Sequence, residues 1–237
     1  MAFCVRAELS SSAWTYFVNA ISISEITVEG LLTHFCNAES VEGRETSRQL
    51  GLFEELVRAL GAAKLRPRWV HAANSAATLS APAAHFDLVR PGIALYGIHP
   101  APALRTRAQL RPVMRFVTGI IALRRVPPGG TVGYGATFVA ARPTVIATLP
   151  VGYADGYPRA LSNRAAMVVR GRRVPIAGRV GMDQVMIDVT DVPAAELGDE
   201  VELWGPEISV EEVAATADTI PYELLTRVAA RVPRVAT

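Results

Sequence analysis

The rhythm of apolar and polar positions divides this chain into two textures. From Ile26 to Phe35 apolar residues follow one another closely, the pattern of a buried strand, and the run ends at Thr33-His34-Phe35. Ser47 to Leu60 places Leu50, Phe53, Leu56, Val57 and Leu60 on one face of a helix, with Gly61 as its stop. Arg68 to Ala72 predicts a second short strand running into His71-Ala72-Ala73-Asn74-Ser75. Ser75 to Leu79 then predicts a helical turn that Pro82 limits. Asp87 to Leu95 reads as a third strand-like run, broken near its end by Pro91-Gly92. Strands alternating with helices imply parallel pairing through right-handed crossovers.

Near Leu110 the pattern shortens. Val113–Val126, Thr144–Leu149, Ala166–Val169, Val174–Ile176, Val185–Val189 and Glu200–Trp204 are short β-rich runs, separated by turn signals such as Pro127-Pro128-Gly129-Gly130 and Arg170-Gly171-Arg172. A closing helix is expected over Ser209 to Ala217, opened by the capping-box spacing of Ser209 and Glu212. The fold class expected is therefore α/β followed by all-β, with the boundary near Pro100 to Leu110. There is no internal repeat and no low-complexity linker.

Composition narrows the functional classes. The formal net charge of the 237 residues is +2, which gives no electrostatic argument for nucleic acid or an anionic membrane. No apolar run reaches the roughly 18 residues that a membrane helix needs. The apolar stretch Ala13–Ile23 is interrupted by Asn19 and Ser22, and Arg6 is offset by Glu8, which speaks against a secretory signal. Two cysteines, Cys4 and Cys36, make no disulfide framework, so a reducing cytoplasm is the expected compartment. Lys64 is the only lysine; every other basic residue is arginine.

Candidate chemistry sits at the expected strand ends: His34, then His71 with Asn74 and Ser75, then Arg90 with Gly92 and Ile93. In parallel α/β barrels that face carries the active site, and backbone amides there hold phosphate groups. Gly92 lets a ligand approach the backbone, and Ser75 opens a helical turn whose free amides attract anions. Singly each residue is ordinary, since a lone histidine is most often a hydrogen-bonded core residue. Their recurrence at equivalent positions favours a shared site. In the β-rich half, Tyr134 lies between Gly133 and Gly135, where the backbone can turn tightly and the phenol project. Gly178-Arg179-Val180-Gly181-Met182-Asp183-Gln184 surrounds Met182 with small residues and suggests an exposed amide. On their own both segments read more readily as a turn with a packed ring and a hairpin.

Together these segments resemble one family, alanine racemase. Val28 to Phe35, His71 to Ala76, Val89 to Gly97, Val132 to Phe138, Gly152-Tyr153-Ala154-Asp155-Gly156, Gly178 to Gln184 and Arg231-Val232-Pro233-Arg234 occur in that family's order, collinear from about Val28 to Arg234. The resemblance implies an incomplete α/β (TIM-type) barrel over residues 26–105, followed by a C-terminal β domain over 106–237. Residues 1–25 show no counterpart to the family's motifs. It implies pyridoxal 5′-phosphate as cofactor, with Ser75, Gly92 and Ile93 at its phosphate and Arg90 facing the pyridine nitrogen. An arginine does not give up its proton at neutral pH, so that nitrogen stays unprotonated and the ring's electron withdrawal is limited. His34 and His71 match the supporting hydrogen-bonded network. Tyr134 matches the base on one face of the substrate α-carbon, and Met182 the residue whose amide binds the substrate carboxylate. A phenol titrates near 10, so such a site has to lower it, through neighbouring cationic groups. Interconversion of L- and D-alanine, supplying D-alanine for peptidoglycan, and a homodimer in which Tyr134 and Met182 serve the partner's barrel are implied in the same way.

The departures are as specific. The family's lysine, which holds the cofactor covalently and acts as the second base, lies in a Val-Lys-Ala-Asn-Ala-Tyr-Gly-His-like motif that this chain lacks. The Asp-Thr-Gly-Met-Gly-Arg-like segment with a substrate-binding arginine is also missing. Ala230 stands where some relatives have a phosphate-contacting tyrosine. About five of eight barrel strands have no counterpart, the pattern of a fragment. Three readings follow: an alanine racemase-type isomerase that is incomplete and inactive alone; a non-catalytic remnant that dimerises with or complements a barrel-bearing chain; and a metal hydrolase using His34 and His71. The last lacks a His-x-His pair or strand-end acid, so no metal is expected.

Overall fold

The computed structural model describes residues 2–4, 27–40 and 42–236, and of residues 2–4 the backbone alone. The chain divides into two units, Met1–Val113 and Met114–Thr237. Candidate features on residues 5–26, including the apolar stretch Ala13–Ile23, lie outside the described residues.

The first unit carries a three-stranded parallel sheet of β1 (Ala2–Cys4), β2 (Gly30–Leu32) and β3 (Trp69–His71), in that order. Helix α1 (Arg44–Ala62) buries Phe53, Leu56 and Leu60 and packs with Leu31, Val70, Ala72 and Ala76 into one apolar core. Phe53 meets Phe86 edge to face, with ring centroids 5.3 Å apart. Gly61 does not end this helix. The chain stays helical to Ala62, and the reversal falls on Lys64 (φ 60°), where Lys64 donates to the Gly61 carbonyl and Leu65 to that of Leu60. A glycine at that left-handed position would be the usual choice.

The run Asp87 to Leu95 is not a strand. The Asp87 amide donates to Val70 and that of Arg90 to Ala73, so the segment follows β3 without forming a ladder. Pro91 has no N–H to continue pairing, and Ile93–Tyr96 closes into a 3₁₀ turn. The third strand is β1, and Arg90 reaches the sheet from beside β3 rather than from a strand end of its own.

The second unit is antiparallel. One sheet has the order β10 (Arg172–Pro175), β9 (Ala166–Val169), β12 (Glu200–Trp204), β4 (Phe116–Gly119). Another has β11 (Val185–Asp188), β8 (Thr144–Leu149), β5 (Ala122–Val126). The apolar run Val113–Val126 is thus two strands in two sheets. It changes sheet at Ile120–Ile121, whose amides donate to Asp199 and Thr148 respectively. A small hairpin, β6 (Thr131–Val132) with β7 (Phe138–Val139), carries Tyr134 in its connection. Two helices close the unit, α3 (Val210–Thr216) and α4 (Pro221–Arg227). Ser209 caps α3 by accepting from the Glu212 amide, but the Glu212 carboxylate turns to Arg173 rather than completing a capping box. The helix α4 was not expected from the sequence. Its signals are Pro221 at the first helical position and a Glu223–Arg227 pair one turn apart.

Candidate active site

In the first unit the strand ends and the segment beside β3 meet at Arg90. Its Nη2 donates to the carbonyls of Thr33 (2.8 Å) and Ala72 (3.1 Å) and lies 3.3 Å from His34 Nδ1, while Nη1 contacts His71 Nδ1. Thr33 and Ala72 are buried, so these carbonyls need a donor, and a planar guanidinium serves several acceptors at fixed angles. His71 accepts through Nδ1, which requires the neutral ring with its proton on Nε2. Burial, then the adjacent Arg90 charge, hold its pKa below the ordinary histidine value. Both histidine Nδ1 atoms therefore face a cation, which opposes their use as metal ligands. Among the described residues no three of His, Cys, Asp and Glu are placed to hold a metal ion.

Ser75, Gly92 and Ile93 come together a few residues away. Ser75 Oγ accepts from the amides of Gly92 (2.8 Å) and Ala94 (3.3 Å), and Ser75 and Ile93 are buried while Gly92 is exposed. A side chain on Gly92 would meet Ser75 Oγ at 3.9 Å, an ordinary contact, so its value lies in leaving the surface open. With two N–H donors on its lone pairs, the Ser75 hydroxyl proton remains to be given to a ligand. The following helix α2 (Ser75–Ser80) is capped by Asn74, which takes the Ala77 amide at 3.0 Å. One amide expected to be free is thereby already paired.

In the second unit the turn bearing Tyr134 lies on the segment before Met182. Gly133 (φ 74°) and Gly135 (φ 72°) both need the left-handed region. A Cβ on Gly135 would come within 3.0 Å of the Arg179 guanidinium, so that cation packs flat on the turn next to Tyr134. Tyr134 is 77% exposed and Met182 60% exposed, unusually open for residues of this size. The Met182 carbonyl accepts from Ala154 (2.9 Å), and its amide has no acceptor among the described residues. Gly152 makes this possible. A Cβ there would lie 2.4 Å from both the Gly181 and Met182 carbonyl oxygens, so only glycine admits the approach.

The model for "Alanine racemase, N-terminal domain" matches residues 9–100, and that for "Alanine racemase, C-terminal domain" matches residues 113–236. The chain belongs to the alanine racemase family. The N-terminal match begins well inside the segment 1–25 in which the motif comparison found no counterpart. The alanine racemase of Halothermothrix orenii is 46% identical over 217 residues, which cover 90% of this chain and 57% of that relative. The structure of alanine racemase from Streptomyces coelicolor A3(2) superposes with a TM-score of 0.92 at 36% identity, covering 99% of this chain and 65% of that one. That of Bartonella henselae, with covalently bound pyridoxal phosphate, gives 0.84 at 32% identity, covering 99% and 65%. The chain thus spans less than two thirds of the relatives it matches.

The incomplete barrel followed by a β domain, expected from the motifs, is the architecture found: an open three-stranded parallel sheet with α1, then the antiparallel unit. Among the described residues no helix is long and apolar enough to cross a membrane. Sequence reading gave no role to Arg179, Asp155 or Arg231, although all three stand in the motifs quoted. What marks them is a tertiary contact in each case, with Gly135 for Arg179 and between Asp155 and Arg231 (2.7 Å) for the other two.

Proposed function

We propose that this chain carries two half-sites of a pyridoxal-phosphate-dependent alanine racemase, one for the cofactor and one for the substrate, without the covalent cofactor link. The observation that carries this reading is Arg90, a guanidinium held by two histidines and two buried carbonyls beside the Ser75–Gly92 cradle. An arginine so fixed presents a permanent N–H donor to a ring nitrogen and does not release its proton to it. The neutral His71 and Thr33 hold its plane. The Ser75 hydroxyl and the Ile93 amide fit a phosphate, and exposed Gly92 leaves room for one. Pyridoxal phosphate, when bound, supplies an electron-withdrawing ring that acidifies the α-proton of an amino acid. The Tyr134 phenol moves a proton on one face of that carbon, and the Met182 amide holds the carboxylate. Both are exposed on the second unit, which suits service to the barrel of a second copy in a homodimer, acting in the cytoplasm on a small amino acid.

The residues present fit the phosphate and the ring nitrogen but not the covalent bond. Lys64 sits on the exposed turn after α1, where the chain enters the N-terminal side of β3, whereas His71 ends that strand and Ser75 lies past it. The chain alone is therefore expected not to racemise alanine. Its span of 57% of a full-length relative favours a second reading, in which it complements a barrel-bearing chain. The test is purified chain with pyridoxal phosphate, measuring saturable retention, borohydride-stable labelling by peptide mass, and racemisation. Retention that Arg90→Met abolishes, without turnover, is expected. Turnover with specific labelling of Lys64 would overturn the absence of a link, and retention unchanged in Arg90→Met would overturn the half-site. With the missing barrel supplied by a second chain, Tyr134→Phe should lower turnover about 100- to 10,000-fold.

A further inference from the structure

The Met182 loop is not held by its own hairpin alone. The turn Tyr153–Asp155 docks onto it through two backbone bonds, Tyr153 N–H to the Gly181 carbonyl (3.0 Å) and Ala154 N–H to the Met182 carbonyl (2.9 Å). Asp155 closes that turn. Its Oδ2 accepts from the Gly152 amide at 3.0 Å, fixing the residue whose missing side chain allows the docking. Its Oδ1 accepts from Arg231 Nε at 2.7 Å, across 76 positions of sequence. Its carbonyl accepts from the Ala229 amide, and Gly156 (φ 106°) presses on the Arg227 carbonyl, so the C-terminal segment lies against the turn. Arg234 ties that segment to itself through the carbonyls of Val228, Ala229 and Val232. Arg231 also feels the charge of Asp183, the residue after Met182, and lines one cavity with Asp155, Asp183 and Gln184.

We propose that Asp155 and Arg231 are positioning residues: a charge-assisted clamp that anchors the Tyr153–Asp155 turn to the C-terminal segment and so sets the direction of the Met182 amide. The functional sense of the clamp rests on Met182 being the carboxylate-binding amide. A peptide N–H can bind an anion well only if its direction is fixed beforehand, because reorientation on binding subtracts from affinity. The two bonds to Gly181 and Met182 fix the peptide plane on the carbonyl side. Asp155 fixes the turn that makes those bonds. Arg231 supplies a side-chain contact from the distant C-terminal segment, and its ionised donor makes the bond stronger than a neutral one.

The experiment is residue-resolved amide hydrogen exchange on the full chain without cofactor, comparing wild type with Asp155→Asn, Arg231→Gln and Arg231→Lys. Arg231→Gln is the decisive variant, since the bonds it is expected to loosen are not its own. The Tyr153 and Ala154 amides should exchange about tenfold faster or more in Arg231→Gln, as loss of a charged hydrogen bond implies. Amides of β9 and β12, such as Val169 and Val201, should stay within about twofold. The Met182 amide resonance should move, and Arg231→Lys, which keeps the charge, should return at least part of both effects. Unchanged exchange at Tyr153 and Ala154 would overturn the clamp. So would an equal rise throughout the sheets, or a failure of Arg231→Gln to fold, either of which marks a merely structural ion pair. An equal effect of Gln and Lys would also overturn it. No readout requires cofactor or turnover, so failure of the racemase reading would leave this result standing, and failure of the clamp would leave the cofactor half-site untouched.

Discussion

Replacing Arg90 by methionine keeps an unbranched side chain of similar reach and removes every donor. Two buried carbonyls, of Thr33 and Ala72, and the Nδ1 of His71 lose a charged partner. Hydrogen bonds to charged groups contribute about 1.5–3 kcal/mol each, but Arg90 is half-buried, so water can reach part of the vacated site. A net loss of about 3 kcal/mol for the first unit is expected. The His71 contribution carries a pH signature. Its folded pKa lies below the unfolded value of 6.5, so it favours the folded state fully above about pH 6.5 and progressively less as pH falls through its lowered folded value. Stability of the first unit should therefore fall on acidification below pH 6.5. The fall should be shallower in Arg90→Met, because the charge contribution to the lowering is gone while burial remains. Urea unfolding with exchange read on peptides spanning 69–90, at pH 7.5 and 5.5, measures both. A loss under about 0.5 kcal/mol at pH 7.5, set against the hydrogen-bond magnitudes above, or an equal acid response in the two proteins, would refute the reasoning.

Three further outcomes follow from the geometry. Gly152→Ala should cost about 3 kcal/mol by urea unfolding followed through buried Trp204, because its Cβ meets backbone carbonyls 2.4 Å away while its extended φ costs nothing; a neutral substitution would show that the Met182 loop yields freely. Tyr157 is fully buried, and its hydroxyl has no hydrogen-bond partner among the described residues. Burial pushes that phenol well above its ordinary range, so it stays protonated, and Tyr157→Phe should be as stable as wild type or up to about 2 kcal/mol more so in the same melt. A loss beyond about 1 kcal/mol would show that the hydroxyl is held. Lys64→Gly should raise stability by about 0.5–1 kcal/mol in thermal unfolding, by relieving a left-handed lysine after α1, and a lowered midpoint would contradict that placement. It also removes the only lysine.

What could be read from residues alone was whatever rests on local periodicity and on contiguous motifs. Helix α1, the strands β8, β9 and β12, and the Ser209 cap on α3 follow from side-chain spacing, which is a property of the chain's own neighbours. The family's motifs pointed to Arg90, Ser75 and Tyr134 because those side chains are set in short, distinctive segments. The absence of the lysine motif was legible for the same reason.

Tertiary structure decided everything that depends on partners distant in sequence. The apolar run Val113–Val126 has one periodicity but pairs with β12 in its first half and β8 in its second, and no local signal announces the exchange at Ile120–Ile121. Asp87 to Leu95 has strand-like composition, yet its amides reach scattered acceptors (the Val70, Ala73 and Gly92 carbonyls and the Ser75 hydroxyl), and a strand exists only where a neighbour offers a full ladder. Gly61 has the freedom to stop a helix, but α1 runs on to Ala62 and the left-handed reversal falls on Lys64. Arg179 and Arg231 look like any other arginine among the basic residues of this sequence. Only the fold lays one on Gly135 and brings the other to Asp155 from 76 residues away, since side-chain contact is set by backbone paths that local spacing does not encode.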